Sequence, residues 1–450
     1  MKMTKTQTTT KLALLAGATA LAALAPQSYA QSSDALIEKL VSKGILTVSE
    51  AKDLREESDK DFKTAFQAKT GMPDWVSGYK ISGDVRGRFE SINADSGKQI
   101  TRDRFRYRLR AGLTVYLQDD LEAGFRLTSD EAAGGNSSGG DPISGNTTMT
   151  GNGSKKFIYI DQAYGKWSPL HGNGWDGNFT FGKMENPFTT SDLVFDPDYT
   201  PEGAALQLGY AINDKHSVRF NGGGFAINEN KNSSYDTYLF GAQARFESKW
   251  TPKLQTSFGV SYYDLMNKAG LATGILPDQN NGNWRSPAGA ISYAFNPWVV
   301  DASVTYLLDS VPLYKGAFPI KIAGDYIDNP SANGHENYGY SAGVTFGKAG
   351  KKGLWEVSYR YKYLGANAWF EELVDSDTGA YYSATYHNGA AGAGYSAGTN
   401  IKGHVFKAAY NFTDSLSLGA TYFLTELIDQ TGQTAKSDTG RLQVDASLKF

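Results

Sequence analysis

The chain ends in the decapeptide Arg441-Leu442-Gln443-Val444-Asp445-Ala446-Ser447-Leu448-Lys449-Phe450, in which polar and apolar residues alternate without an error. Successive side chains of a β-strand point to opposite faces, so the five apolar side chains share one face and the polar ones share the other. The stretch therefore predicts an amphipathic terminal strand that ends on an aromatic residue, Phe450.

A second stretch with the same period of two begins at Thr101. Its apolar face carries Phe105, Tyr107, Leu109, Ala111, Leu113 and Val115, and its polar face carries an arginine ladder, Arg102, Arg104, Arg106, Arg108 and Arg110. In a soluble sandwich the apolar face would meet a core and the arginines would meet water. In a membrane barrel the apolar face meets lipid and the arginines meet a wet lumen. A single strand does not distinguish these arrangements.

The complete set of strands favours a membrane barrel. We predict sixteen strands, at about 76–92, 101–117, 121–130, 155–168, 178–184, 203–212, 216–228, 235–250, 254–267, 298–309, 317–327, 338–348, 353–364, 401–412, 416–428 and 441–450. Tight turns alternate with long polar segments; the turns are 118–120, 213–215, 251–253 and 413–415, and the long segments are 131–154, 185–202, 268–297 and 365–400. An even strand number and this alternation are typical of outer-membrane barrels.

The predicted fold class is therefore all-β: a transmembrane antiparallel β-barrel of about 16 strands over residues 76–450. Residues 290–295 could form an additional strand, but the even strand number favours a long external loop or an extension of the next strand. The alternative is a soluble propeller or sandwich array. A propeller would show an internal repeat at a fixed period, and we find none.

The N-terminal 30 residues have the features of a signal peptide. Lys2, Lys5 and Lys11 precede an apolar run of fourteen residues, and Ser28-Tyr29-Ala30 places small residues at the expected cleavage site. The alternative, a membrane anchor, is disfavoured because the run is short for a bilayer about 30 Å thick. Removal of residues 1–30 would change the formal net charge from −3 to −6.

Residues 31–75 are predicted to form a periplasmic helical extension, because apolar residues recur there at helical spacing and Thr47-Val48-Ser49-Glu50 has the pattern of a capping box. The extension is either a solvated segment or a site of oligomerisation or cell-wall contact.

Composition excludes several classes of protein. The chain has no cysteine, so neither a disulfide scaffold nor a thiolate metal site is available. Its near-neutral charge gives no basic footprint for nucleic acid. The five histidines show no metal-ligand spacing, and no cofactor or metal is expected.

These features together resemble the bacterial outer-membrane porins, and most of all the group called putative porins. The stretch Gly182-Lys183-Met184-Glu185-Asn186-Pro187-Phe188, followed by Asp192-Leu193-Val194-Phe195-Asp196-Pro197-Asp198 and Pro201-Glu202-Gly203, is similar to the characteristic loop of that group. The resemblance implies a passive, homotrimeric channel with an inward-folded loop in the outer membrane of a Gram-negative bacterium. The terminal strand resembles the signal through which the barrel-assembly machinery recognises such proteins, with Phe450 as its last residue.

Charged residues indicate where the pore is narrowest. The loop at 185–202 holds only acidic charges, Glu185, Asp192, Asp196, Asp198 and Glu202, while the first strand adds Arg86 and Arg88 to the ladder. We expect the acidic loop to face part of the ladder across a constriction, since rings of charge select ions and small polar solutes. The alternative is that these charges only hydrate a wide lumen.

Four functions are compatible with such a barrel. A porin would pass ions and small hydrophilic solutes, and its partners would be outer-membrane lipid and those solutes. A substrate-specific channel would suit anions or short saccharides. An adhesin would use the long loops. A barrel enzyme is not expected, because no nucleophile motif accompanies His387 or His404. Calcium binding near 131–154 is a further alternative, and a loop without metal is preferred there.

Overall fold

The computed structural model describes residues 72–95, 100–131, 139–231, 235–277, 281–385, 387 and 393–450. The chain divides into two units at Val76, and the first unit lies almost entirely outside the described residues. The signal peptide at 1–30 and most of the helical extension at 31–75 therefore remain sequence predictions. Across the described part of the chain, no helix is long and apolar enough to cross a membrane.

Sixteen long strands form the barrel. They are β1 Val76–Ala94, β2 Ile100–Leu117, β3 Leu121–Asp130, β4 Phe157–Gly172, β5 Trp175–Lys183, β6 Glu202–Ala211, β7 His216–Asn228, β8 Thr237–Lys249, β9 Leu254–Met266, β10 Trp298–Leu308, β11 Phe318–Asp328, β12 Tyr338–Gly347, β13 Trp355–Leu364, β14 Ile401–Asn411, β15 Leu416–Leu427 and β16 Thr439–Lys449. Thr147–Thr148 pairs with β2, and Gly379–Tyr382 pairs with Gly394–Ala397 in a small separate hairpin.

Each barrel strand pairs with its neighbours in sequence, and the last strand returns to the first. The pairing of β1 with β16 is antiparallel from Asp84↔Lys449 to Ala94↔Thr439. The sheet therefore has no free edge, which is the condition for a β-structure to span a lipid bilayer. The predicted all-β barrel of sixteen strands is confirmed.

Burial along β2 is the reverse of that in a soluble protein. Phe105 and Leu109 are 59% and 38% exposed, while Arg106 and Arg108 are only 8% and 7% exposed. The apolar side chains cover the outer wall and the arginines lie inside, as in a transmembrane barrel with a polar interior.

The strand boundaries agree with the sequence predictions to within a few residues, with one clear exception. The sequence predicts no strand for residues 169–177, but β4 and β5 extend through them to a tight turn at Asn173-Gly174. These two residues have φ values of 50° and 82°, and Asn and Gly are the residues that best tolerate this left-handed region. Residues 290–295 lie in the loop after β9, where Ile291 and Phe295 form isolated bridges.

Buried apolar residues lie inside the barrel, on loops that fold into it as well as on inward-facing strand positions. The cluster includes Met184, Phe188, Leu193, Val194, Phe195, Tyr263, Leu271, Phe295, Trp369, Phe370, Leu373 and Val374. Part of the lumen is thus filled by a packed core, and the open part lies beside it.

Candidate functional site: two inner loops and a basic wall

The first inner loop, residues 184–201 between β5 and β6, crosses the lumen. It contacts inward-facing side chains of three well-separated strands: Asp198 with Arg108 of β2 (2.9 Å), Thr189 with Gln243 of β8 (2.9 Å) and Asp192 with Lys362 of β13 (2.6 Å). Contacts to such distant strands require the loop to lie within the barrel. The loop predicted to fold inward therefore does so.

The second inner loop, residues 365–400 between β13 and β14, also enters the lumen. Asp377 binds Arg88 of β1 at 3.2 Å and Arg441 of β16 at 2.8 Å. The sequence pattern predicts only a long polar loop for this segment. Two apolar runs, Ala368-Trp369-Phe370 and Leu373-Val374, are unusual in a loop exposed to water and indicate that this loop is buried.

The two inner loops bind each other through their backbones and through an aromatic cluster. Asp196 N donates to Leu373 O at 2.8 Å, and Ser376 N donates to the Asp196 carboxylate at 2.9 Å. Phe195 lies edge-on to Trp369 with ring centroids 6.0 Å apart. Packed aromatic pairs of this kind add to the stability gained by burial, so the two loops form one continuous structure.

The basic wall consists of seven arginines on three adjacent strands, Arg86 and Arg88 on β1, Arg104, Arg106, Arg108 and Arg110 on β2, and Arg441 on β16. Acidic residues on the same strands pair with several of them. Asp84 binds Arg108 and Arg110 at 3.0 and 2.7 Å, Glu90 binds Arg104 and Arg441, and Asp445 binds Arg88 at 2.7 Å.

Each inner loop adds one further carboxylate to the basic wall. Asp198 of the first loop binds Arg108 and Arg110 at 2.9 and 3.1 Å, and Asp377 of the second binds Arg88 and Arg441. The ladder is thus not a row of free positive charges. It is a network of paired charges that attaches both loops to one side of the barrel.

The remaining predicted site residues have different surroundings. Asp192 binds both Arg360 and Lys362 on β13, and Asp196 accepts hydrogen bonds from the backbone of both loops. Glu202 is exposed and binds Lys183 at 3.1 Å. Arg102 and Glu185 are exposed, and no contact joins either to the basic wall among the described residues.

Three loop carboxyls differ in pKa because their charged neighbours differ. Burial opposes ionisation of Asp192, but the charges of Lys362 and Arg360 lower its pKa below the usual range. The pKa of Asp377 is likewise lowered, since Arg441 and Arg88 outweigh the effect of burial.

Asp196 shows the opposite shift. Its burial and the nearby carboxylate of Asp375 raise its pKa well above the usual range for an aspartate. Asp192 and Asp377 are therefore anchoring charges, whereas Asp196 resists ionisation.

A cavity of about 390 Å³ lies beside the first inner loop. Its lining includes Arg108, Arg110, Asp141, Asp161, Asp198 and Glu202. Charges of both signs thus line the open space next to the loop. In the described part of the chain, no group of three or more His, Asp or Glu side chains is placed to hold a metal ion.

Comparisons with known proteins agree with this architecture. Residues 97–281, less than half of the chain, match the model of a family described as putative porin. A solved structure of OprB from Pseudomonas putida, determined at high pH, has a TM-score of 0.50 and 12% identity, and the match covers 83% of this chain and 94% of OprB. A triple mutant of Rhodopseudomonas blastica porin has a TM-score of 0.39 and 11% identity, with 83% and 100% covered. No curated protein sequence matches the chain.

The resemblance to putative porins is confirmed over the matched segment, and the likeness to OprB confirms the barrel fold. The similarity to that family covers residues 97–281, and the likeness to OprB concerns the fold.

Proposed function

We propose that this protein is a porin through which ions and small hydrophilic solutes diffuse passively across the outer membrane. The observation that carries the proposal is the position of Asp198, which the first inner loop holds between Arg108 and Arg110 at the edge of the charged cavity. Fixed charges of both signs at a narrowing of a wet lumen act directly on a passing ion.

In this proposal the constriction is formed by the acidic residues of the first inner loop and the ladder. Glu185, Asp192, Asp196, Asp198 and Glu202 supply the acidic side, and Arg86, Arg88, Arg104, Arg106, Arg108 and Arg110 supply the basic side. Arg102, which the sequence predicts for the same site, is exposed and lies outside the basic wall. The pairing within the basic wall supports a narrower version, in which Asp198, Arg108 and Arg110 act on solutes and most other wall charges hold the loops in place.

The biological setting is part of the same proposal. The N-terminal 30 residues would direct export, residues 31–75 would lie in the periplasm, and Phe450 would be read by the barrel-assembly machinery. The porin resemblance supports a homotrimer embedded in outer-membrane lipid. Chemical cross-linking of the purified protein in mild detergent tests the oligomeric state.

The decisive experiment is ion selectivity in a planar bilayer. A variant with Arg104, Arg106 and Arg108 replaced by Ala should shift the reversal potential in a KCl gradient towards cation preference, because three positive charges leave the lumen. Arg102→Ala is the matched control on the same strand, since Arg102 is exposed and outside the wall. An unchanged potential in the triple variant, or the absence of any conductance in the wild type, would contradict the proposal.

A substrate-specific channel is the second candidate. The excess of arginine over carboxylate in the basic wall favours an anionic solute over a short saccharide. Concentration-dependent block of the chloride current by phosphate, with no block by a neutral disaccharide, would distinguish this channel from a general porin.

A further inference from the structure

The basic wall has more positive than negative charge. Five of its seven arginines contact carboxylates, two from β1, one from β16 and one from each inner loop: Asp84, Glu90, Asp445, Asp198 and Asp377. Two positive charges are left over. Within the described ranges, Arg86 and Arg106 are the two wall arginines with no carboxylate at ion-pair distance.

These two arginines converge on a single neutral residue. Arg86 Nη2 donates to the side-chain oxygen of Asn146 at 2.6 Å, and Arg106 Nη2 donates to the backbone oxygen of Asn146 at 3.0 Å. Asn146 is 4% exposed and lies on the loop between β3 and β4. The two guanidinium groups are therefore neighbours, held by the two oxygens of one uncharged residue.

Each of the two guanidinium groups also has an unused donor. The Nε atoms of Arg86 and Arg106 are buried and have no hydrogen-bond partner, and Arg106 is more than nine-tenths buried. Arg245 also has an unpartnered Nε, but its Nη1 binds Asp301 at 2.8 Å, so its charge is compensated. Arg86 and Arg106 lack both a counter-charge and part of their hydrogen bonding.

Carboxylates farther away act on both arginines but are engaged elsewhere. Asp445 and Asp198 attract Arg86, yet they contact Arg88 and the Arg108–Arg110 pair. Glu90 and Asp377 attract Arg106, yet they contact other wall arginines. Glu131 also attracts Arg106, and it accepts a hydrogen bond from Thr148 N. None of them neutralises the pair by direct contact.

We propose that Arg86 and Arg106 form a binding site for a small oxyanion, such as phosphate or sulfate, beside Asn146. Burial of a charge without a partner is unfavourable, so an anion from solution would stabilise the wall. The planar fork of guanidinium donors matches the oxygens of an oxyanion better than it matches a halide. The inference rests on the proposed channel, in which this wall borders the lumen, and adds a defined binding site for anions.

Asn146→Asp provides the sharpest test. The new carboxylate has nearly the shape of the amide and lies where Arg86 already donates, next to the backbone oxygen that accepts from Arg106, so it should supply the missing negative charge in place of a bound anion. The amide donor that Asn146 gives Ser144 at 3.2 Å is lost, and the Ser144 hydroxyl can donate instead. This variant is therefore expected to fold even if Arg106→Gln does not.

The measurement is the thermal unfolding midpoint in detergent as phosphate replaces chloride at constant ionic strength. In the wild type the midpoint should rise with phosphate and level off, as expected for one saturable site. The rise should be absent from Asn146→Asp and Arg106→Gln. It should remain in Arg102→Gln, which removes the same charge from an exposed position on the same strand.

The outcomes separate the site from the channel. A rise of equal size in Asn146→Asp, or no rise in the wild type, would overturn the site even if the bilayer shows conductance. Saturable protection by phosphate that Asn146→Asp removes would support the site even if no conductance is found, and the proposed function would then fail alone. Equal protection by chloride at the same ionic strength would overturn the oxyanion assignment.

Discussion

Gly83 and Phe450 exchange two backbone hydrogen bonds, with Gly83 N 2.9 Å from Phe450 O and Phe450 N 3.1 Å from Gly83 O. The last residue of the chain therefore closes the barrel against its first strand. The Phe450 ring also lies over the position that a side chain at Gly83 would need. A Cβ at Gly83 would lie 2.5 Å from this ring and 2.3 Å from Arg110 O of β2.

Gly83→Ala should therefore impair closure of the barrel. The backbone oxygen of Arg110 cannot move away without disturbing β2, so we expect a clear loss of refolded protein, equivalent to about 2 kcal/mol or more of stability. The measurement is the fraction that migrates as folded barrel in unheated gel electrophoresis after refolding into detergent.

Gly87→Ala is the matched control for this prediction, because Gly87 lies on the same strand and a Cβ there would meet no atom within 4 Å. Equal refolding yields for the two variants would contradict the role assigned to Gly83.

Lys362 anchors the first inner loop to β13. Its side chain is 2% exposed, and its ammonium group binds Asp192 at 2.6 Å and Asp375 at 2.8 Å, so it connects both inner loops to β13. Replacement by Met would leave two carboxylates with less compensation. Since Arg360 still binds Asp192, we expect a loss of about 2 kcal/mol, below the usual effect of breaking a buried pair.

Chemical unfolding of Lys362→Met in detergent tests this expectation, and single-channel recordings should show greater current noise as the first inner loop loosens. Lys407→Met on the neighbouring strand is the control, because Lys407 is half exposed and its partner Glu356 is 3.7 Å away. If the two variants lost the same stability, Lys362 would not be an anchor.

The sequence predicted the barrel well because its two faces meet different solvents. Apolar and polar side chains alternate along each strand, as Phe105 and Arg106 do. The apolar ones face lipid outside the barrel and the polar ones face its interior, so the alternation indicates a membrane barrel. The turn at Asn173-Gly174 was not predicted, because Leu170 and Trp175 were not assigned to strands. An Asn-Gly pair between two strands favours a two-residue hairpin turn, and this preference would have placed the turn correctly.

The site was predicted only in outline. The alternation of polar and apolar residues shows which side chains face the lumen, but it does not show which of them form ion pairs. The ladder and the acidic loop were both identified, but the pairing of Arg108 with Asp198 depends on how the loop crosses the lumen. The contribution of Asp377 was missed for the same reason. Asp377 and Arg88 are 289 positions apart in the sequence, so no local sequence pattern indicates that they are in contact.

Arg285 and Glu371 form an ion pair at 2.6 Å in which both side chains are fully buried. The pair joins the loop after β9 to the second inner loop. Glu371→Gln should cost about 3 kcal/mol, because it removes the negative charge from a contact in which both side chains are fully buried. A double variant, Arg285→Met with Glu371→Leu, should recover most of this loss, since it removes both charges.

Limited proteolysis of the loop at 267–297, together with unfolding by guanidinium chloride, measures both variants. A double variant less stable than Glu371→Gln would show that the hydrogen bonds of the pair matter more than its charge balance. Asn283 would then be the first residue to examine, because its backbone and side chain also contact Glu371.

The pH dependence of stability should differ in sign between Asp196 and Asp192. The pKa of Asp196 is raised by burial and by Asp375, so the folded state binds its proton more tightly than the unfolded state does. The contribution of protonated Asp196 to the free energy of unfolding is therefore lost as pH rises from about 4, the normal aspartate pKa, through the raised pKa. Asp196→Asn removes the titration, so its stability relative to wild type should improve over that window, by at most about 1.4 kcal/mol per pH unit.

Asp192 gives the matched control with the opposite slope. Burial raises its pKa, but Lys362 and Arg360 lower it by more, so its stabilising contribution is complete above about pH 4 and is lost as pH falls through the lowered pKa. Asp192→Asn should therefore be less stable than wild type at neutral pH, and the difference should shrink in acid. Unfolding midpoints between pH 3 and pH 8, measured in one detergent at constant salt, test both slopes. Parallel curves for wild type and Asp196→Asn would mean that Asp196 ionises freely in the folded barrel and that the close approach of Asp375 does not resist its charge.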